Sequence, residues 1–279
     1  MNLTNLTNMT DLIANLEEIL ELVDQGAIFY VGHSGGKDSQ AMFAILSIII
    51  PAGQLFVVHA DLGEVEHDGV KDFIRSNIDG QELLIAQAIH ADGSRKDFFS
   101  LVRARRAKLD NDGKFDAPAF PGHGPRFCTS DLKTGPIWKV IRNHSKALGA
   151  KIVVNCVGIR GQESPARQDK IDERGTFNEN KKNSNTVRRA IDWFPIGHWS
   201  IDQVWAAIEA KGQDRHPAYD AGNDRLSCVF CIFGSRGDLA RGKAARPELF
   251  QKFVDLEADV RSTMFNGETL AARINGGKS

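Results

Sequence analysis

The chain has 279 residues, 42% hydrophobic and 25% charged, with a formal net charge of −1. It is long enough to bury a sizeable core, as one large α/β domain or one domain with an appendage. The near-neutral balance excludes a globally basic nucleic-acid binder, though not a local basic groove.

No apolar run is long enough to span a membrane, and no basic-then-apolar leader opens the chain. A cytoplasmic location without a membrane partner is therefore expected. In that reducing setting the four cysteines read as ligands, reactive thiols or core fillers rather than disulfides.

Met1 to Thr10 is polar and rich in Asn and Thr, which predicts a frayed start. From Asp11 the residues Leu12, Ile13, Leu16, Ile19, Leu20 and Val23 recur at helical spacing and stop before Gly26. Ala27 to Val31 reads as a strand, and a helix follows the glycine loop to about Ile50, where Pro51 ends it. A second strand is expected over Leu55 to Ala60, a polar helix over His67 to Ser76, and a third strand over Glu82 to Ala88. Leu109 to Arg126, rich in Asp, Gly and Pro, reads as a long surface loop.

Pro136 opens the next helix and Gly149 closes it; Lys151 to Val157 is an apolar strand covered on both faces. Arg174 to Arg189 is dominated by Asn, Lys, Arg and Ser and is expected to be a mobile insertion or a solvated loop. Ser200 with Gln203 forms a capping box, and a last helix is expected over Glu248 to Val260, ahead of a weakly ordered tail. Strands separated by helices imply βαβ units, hence a doubly wound parallel sheet with a helical C-terminal part. The expected division is a domain over residues 1–250 and a C-terminal helix and tail over 251–279. No internal repeat is present.

The chemistry starts at Val31-Gly-His-Ser34-Gly35-Gly36-Lys37-Asp38-Ser39. Strand, glycine turn and helix bring backbone N–H groups and a helix N-terminus to bear on an anion. Gly35 and Gly36 allow close backbone approach, Ser34 and Ser39 add hydroxyls, and Lys37 adds a point charge. This is not a Walker A loop, because Asp38 follows Gly-Lys and Val31 stands where the first glycine belongs. Asp38, and His59 with Asp61 after the second strand, lie where an open α/β sheet binds ligands. Together they favour a nucleotide, with Asp38 as a candidate Mg²⁺ ligand.

Arg160, Glu163, Ser164 and Arg167 follow another strand. They suit phosphate or sulfate oxygens, or else Glu163 and Arg167 form an ion pair at a helix start. Cys228-Val-Phe-Cys231 with Cys128 leaves three readings open: a zinc knuckle short of ligands, a redox dithiol, or three ligands of an iron–sulfur cubane. Cys156, inside an apolar strand, is expected to be a buried small hydrophobe.

Ser34-Gly-Gly-Lys-Asp-Ser39, His59-Ala-Asp61-Leu-Gly63, Cys128-Thr-Ser-Asp-Leu-Lys133 and Gly158-Ile-Arg160-Gly-Gln-Glu163-Ser164 occur in that order. Phe194-Pro-Ile-Gly-His-Trp199, Asp202-Gln-Val-Trp205, His216-Pro-Ala-Tyr219 and Arg225-Leu-Ser-Cys228-Val-Phe-Cys231 follow. With these motifs the chain resembles the phosphoadenosine phosphosulfate (PAPS) reductase-like family of the PP-loop ATP pyrophosphatases. It is similar to members from phage and mobile elements, and to those tied to DNA phosphorothioation or CRISPR systems.

The resemblance implies an adenine nucleotide alpha hydrolase-like, Rossmann-like fold. It implies an ATP-cleaving adenylating enzyme, a sulfurtransferase acting on a nucleic acid or nucleotide. Ser34, Gly35, Gly36, Lys37, Asp38 and Ser39 would take the phosphates and Mg²⁺, and His59, Asp61, Gly158 and Arg160 would line the nucleotide cleft. Lys37, Asp38, Cys128 and Arg160 are the implied catalytic residues, and Cys128, Cys228 and Cys231 would carry sulfur or a [4Fe-4S] cluster. A sulfur donor protein and a second copy of the chain are allowed as partners.

The family's reductases look to a C-terminal Glu-Cys-Gly, and no cysteine follows Cys231. Two alternatives therefore stand beside the transferase. One is a sulfonucleotide reductase that borrows its terminal thiol; the other is a non-catalytic nucleotide-binding accessory protein of a defence or mobile-element system.

Overall fold

The computed structural model describes residues 3–276. They fall into two compact units, each assembled from three stretches of chain. The first unit takes Met1–His59, Gly69–Ala86 and Ile137–His216; the second takes Ala60–Asp68, Gln87–Pro136 and Pro217–Ser279.

The first unit is built on six strands: β1 Ile28–Gly32, β2 Leu55–Ala60, β3 Leu83–Ala86, β4 Ile152–Cys156, β5 Phe177–Glu179 and β6 Arg189–Trp193. Their order is β3-β2-β1-β4-β6-β5. β1 pairs in parallel with β2 and β4, β4 pairs in parallel with β6, and β5 is antiparallel to β6. The expected doubly wound sheet is therefore present, flanked by helices, with one antiparallel edge strand. Phe29, Tyr30 and Val31 in the central strand are fully buried. Each such side chain contributes about 1.5–3 kcal/mol relative to exposure, which is why an uninterrupted apolar run takes the middle position. The helix Lys37–Ile49 is buried over Ser39–Leu46, and its polar start is only half-buried.

The second unit is helical, with Phe98–Asn111, Arg236–Ala245, Pro247–Asp259 and Leu270–Asn275 around an aromatic core. Phe253 lies 5.4 Å from Phe98 and 5.2 Å from both Phe99 and Phe230, ring centre to ring centre.

Several expectations are corrected. Part of the expected frayed start, Leu3–Asn8, is a helix with Leu6 fully buried; Met1 and Asn2 lie outside the described residues, as does the end of the expected tail. The helix expected from Asp11 begins at Leu16. Trp199 donates to the Leu12 carbonyl and Trp193 to that of Ala14, both at 2.9 Å, and Asn15 turns left-handed at φ 61°. These bonds from buried tryptophans break the local periodicity.

Leu109 belongs to the helix Phe98–Asn111, and Arg106 from that helix donates to the carbonyls of Lys114 and Ala117, pinning the segment after the helix. The polar stretch from Arg174 to Arg189, expected as a mobile insertion or a solvated loop, supplies β5 and the start of β6. β5 carries little sequence signal because it is a three-residue edge strand with no fully buried side chain, whereas β6 lies inside the sheet with Ala190, Ile191 and Trp193 buried. The Ser200–Gln203 capping box is formed, and Cys156 is fully buried.

Candidate functional site

The glycine loop leaves the carboxyl end of β1 at the point where the sheet order reverses, between β1 and β4. Gly35 sits at φ 78°, a left-handed conformation that strains any other residue. Ser39 Oγ donates to the Gly36 carbonyl at 2.8 Å and accepts from the Ser34 N–H at 3.1 Å, so the loop is closed upon itself. Gly36 caps the helix Lys37–Ile49 without any side-chain bond. The first-turn N–H groups of a 13-residue helix are thus left with their partial positive charge, which suits an anion.

Asp38 and Arg160 meet across the reversal. Arg160 Nε donates to Asp38 Oδ1 at 2.5 Å, and Lys37 Nζ stands 3.7 Å from Asp38 Oδ2. Arg160, 3% exposed, also reaches the Trp199 carbonyl at 3.1 Å. A Cβ on Gly158 would lie 3.2 Å from the Asp38 carbonyl, so a larger residue would push the chain after β4 and the loop apart by a few tenths of an ångström. The two readings of the Arg160 cluster separate here: Glu163 pairs with Arg167, while Arg160 faces Asp38.

His33 carries no sequence signal of its own. Its Nδ1 accepts the Gly35 N–H at 3.0 Å, so the ring proton sits on Nε2, and burial together with His59 lowers its pKa to about 3. His59, buried, bonds through Nδ1 to the His33 carbonyl at 2.9 Å and so braces the loop. Asp61 belongs to the second unit, where it accepts from the Gly63 N–H at 2.9 Å and from Arg95 at 2.7 Å. Arg95 is a partner that no sequence signal flagged.

Cys128, Cys228 and Cys231 all lie in the second unit as half-buried free thiols. Phe127–Thr129 runs into a π-turn, Ser130–Thr134, which carries Lys133. Burial pulls the Lys133 ammonium down, but Cys228, Cys231, Cys128 and Glu66 outweigh it and hold its pKa above the ordinary lysine value. Burial pushes the Cys228 and Cys128 thiols up, and Lys133 opposes the rise at both. All three cysteines thus act on the Lys133 ammonium, and the Glu66 carboxylate acts on Lys133 and Cys228. Sequence reasoning placed Lys133 in a motif but gave it no role, and it missed Glu66; π-turns often mark functional positions but have no simple sequence signature.

Among the described residues no group of three or more His, Cys, Asp and Glu is set to hold a single metal ion. Asp38 has a cation at each oxygen, which leaves it poorly placed to ligate Mg²⁺.

A mostly parallel sheet with a glycine loop at its order reversal defines a Rossmann-like α/β protein. Residues 110–233 match the phosphoadenosine phosphosulfate reductase domain family. Over that stretch, less than half of the chain, it is similar to the family that its motifs implied.

Two uncharacterized proteins of Methanocaldococcus jannaschii are similar. One is 26% identical over 80% of this chain and 46% of its own length, the other 25% identical over 80% and 40%. An uncharacterized protein of Escherichia phage 186 is 26% identical over 54% of this chain and 42% of its own. The chain spans less than half the length of each of these curated relatives.

Among solved structures, a PAPS reductase from Candida auris in a phosphate complex matches with a TM-score of 0.44 at 15% identity, over 80% of this chain and 93% of that one. An FMN adenylyltransferase of Candida glabrata, in complex with FAD and inorganic pyrophosphate, matches at 0.39 and 14% identity, over 73% of this chain and 55% of that one. No helix among the described residues is long and apolar enough to cross a membrane.

Proposed function

We propose that the chain binds ATP by its phosphates at Ser34–Ser39 and cleaves it between the α- and β-phosphates, adenylating an acceptor oxygen on a nucleotide or nucleic acid. The observation that carries this reading is the glycine-started, side-chain-uncapped helix at the order reversal, with Lys37 in its first turn. The acceptor oxygen attacks the α-phosphorus. The bond from that phosphorus to the bridging oxygen breaks, and pyrophosphate leaves with the electron pair. Lys37 and the loop N–H groups neutralise its growing charge, the preorganised term that usually dominates such transfers. Arg160 holds Asp38, and with it the loop, in place.

The terminal sulfur of a persulfide on one of the cysteines then attacks the carbon or phosphorus that bears the adenylated oxygen; the bond between that atom and the oxygen breaks, and AMP departs with the oxygen. A second cysteine thiolate takes the carrier sulfur as a disulfide, which leaves the outer sulfur on the acceptor, and an external dithiol reductant reopens the disulfide. Cys128, Cys228 and Cys231 are the sulfur carriers in this reading, replenished by a donor protein.

Incubating the full chain with α-labelled ATP and candidate acceptors tests the proposal. AMP and pyrophosphate should appear, and Lys37→Ala should lower their formation by about 10²–10³-fold. Absence of both products with every acceptor overturns it; binding without turnover favours the accessory-protein alternative.

The match of residues 110–233 to the reductase domain favours a second reading, sulfonucleotide reduction with the last thiol supplied in trans. Sulfite release from PAPS in the presence of thioredoxin distinguishes it.

A further inference from the structure

We infer that the first unit carries a second anion site, at the amino edge of its sheet, that takes the phosphodiester backbone of a nucleic-acid strand. It rests on residues other than the nucleotide loop. Lys151 immediately precedes β4, and Arg189 opens β6; the Arg189 N–H donates to the Lys151 carbonyl at 2.8 Å, so the two sit side by side. With Lys181 and Arg188 they line a cavity of about 520 Å³, whose single carboxylate is Glu179. Four cations therefore face one acid, in a chain whose formal net charge is −1.

Glu179 is consumed by Arg189. No ion pair to Lys151 or Lys181 is present among the described residues, and both side chains are exposed. Arg188 gives one Nη2 bond to the Asn183 carbonyl at 2.9 Å, but its Nε is buried without a hydrogen-bond partner among the described residues.

The cavity wall is fixed rather than loose. Asn185 Oδ1 accepts the N–H groups of Val187 and Arg188 at 3.0 and 2.9 Å, which ties the turn between β5 and β6. Ser184 and Thr186 add hydroxyls to the lining. β4 and β6 are each five residues long, so this amino edge lies about 16 Å, along the strands, from the carboxyl edge at which the glycine loop leaves β1. A single nucleoside triphosphate held at the loop does not reach it. A repeating polyanion suits a spread of lysines and arginines with one compensated acid and no deep pocket for a base.

The test is fluorescence anisotropy of labelled single-stranded RNA, single-stranded DNA and duplex with the full chain, at salt from about 50 to about 200 mM. Affinity should fall linearly on a log–log plot against salt. The double variant Lys151→Glu, Lys181→Glu should bind about tenfold or more weakly at low salt, and its slope should be shallower by about 1.4 for a single strand, two lost contacts at about 0.7 each. Which probe binds tightest names the strand. Equal affinity and slope in variant and wild type, or no binding of any probe at the lowest salt, overturns the inference.

Circular dichroism of the double variant should match wild type, since both lysines are exposed. Lys37→Ala should leave strand binding intact, and the double variant should still bind ATP, so failure of this site and failure of the nucleotide reading are told apart.

Discussion

Arg160 and Asp38 are 122 positions apart, yet their side chains form the tightest link between the two loops that flank the reversal of the sheet. Arg160→Ala leaves a largely buried carboxylate with only Lys37, 3.7 Å away. Removing one partner of a buried pair costs about 3–5 kcal/mol, and Asp38→Asn in the same chain should recover a good part of it. A denaturant-unfolding double-mutant cycle measures the coupling. His33 predicts a pH effect of definite sign. Its pKa is about 3 when folded, against 6.5 for an ordinary histidine, so below 6.5 the unfolded chain takes a proton that the folded chain refuses. Its stabilising contribution is whole above 6.5 and drains away as pH falls toward 3, at about 1.4 kcal/mol per pH unit. His33→Asn, which keeps an acceptor for the Gly35 N–H, should flatten the stability profile in that window, as thermal melts at stepped pH would show.

At the scale of elements, the π-turn Ser130–Thr134 matters most in the second unit, since it places Lys133 among the thiols. Lys133→Met removes the cation that holds down the Cys128 and Cys228 thiol pKa values. Alkylation of these cysteines by iodoacetamide at mildly alkaline pH should slow about 3- to 10-fold, as the thiolate fraction falls. Mass spectrometry of the labelled peptides gives the rate at each site, and unchanged rates would show that Lys133 does not tune them. Elements with a capping signature or an apolar run were legible: the Ser200–Gln203 box and the strands β1, β2 and β4 fall within a residue or so of their expected places. The helix Phe98–Asn111 was not, because its cap pairs Asp97 with Ser100 rather than with Glu or Gln, and Arg and Lys fill its second half.

At the scale of the whole molecule, the chain passes repeatedly from one unit to the other, so neither unit is a continuous segment. A chain ending at residue 246 would lose Leu249, Phe253, Leu256, Val260, Met264 and Leu270 from the buried core of the second unit. Phe253 alone holds three aromatic contacts, and truncating one buried Phe costs about 3–5 kcal/mol. Loss of near-ultraviolet dichroism and full exposure of Cys128, Cys228 and Cys231 to a thiol reagent are the expected result. By itself the sequence determined the glycine loop, the order of the main strands, the apolar centre of the sheet and the family resemblance. These depend on neighbouring residues: positive φ at a glycine, the periods of strand and helix, an uncapped helix start. Only the tertiary structure decided that Asp38 is tied to Arg160, that His33 is neutral behind the loop, that Lys133 and Glu66 stand among the cysteines, and that the basic stretch closes the sheet edge. Burial and charge pairing between residues far apart in the chain set those features, and no local pattern encodes them.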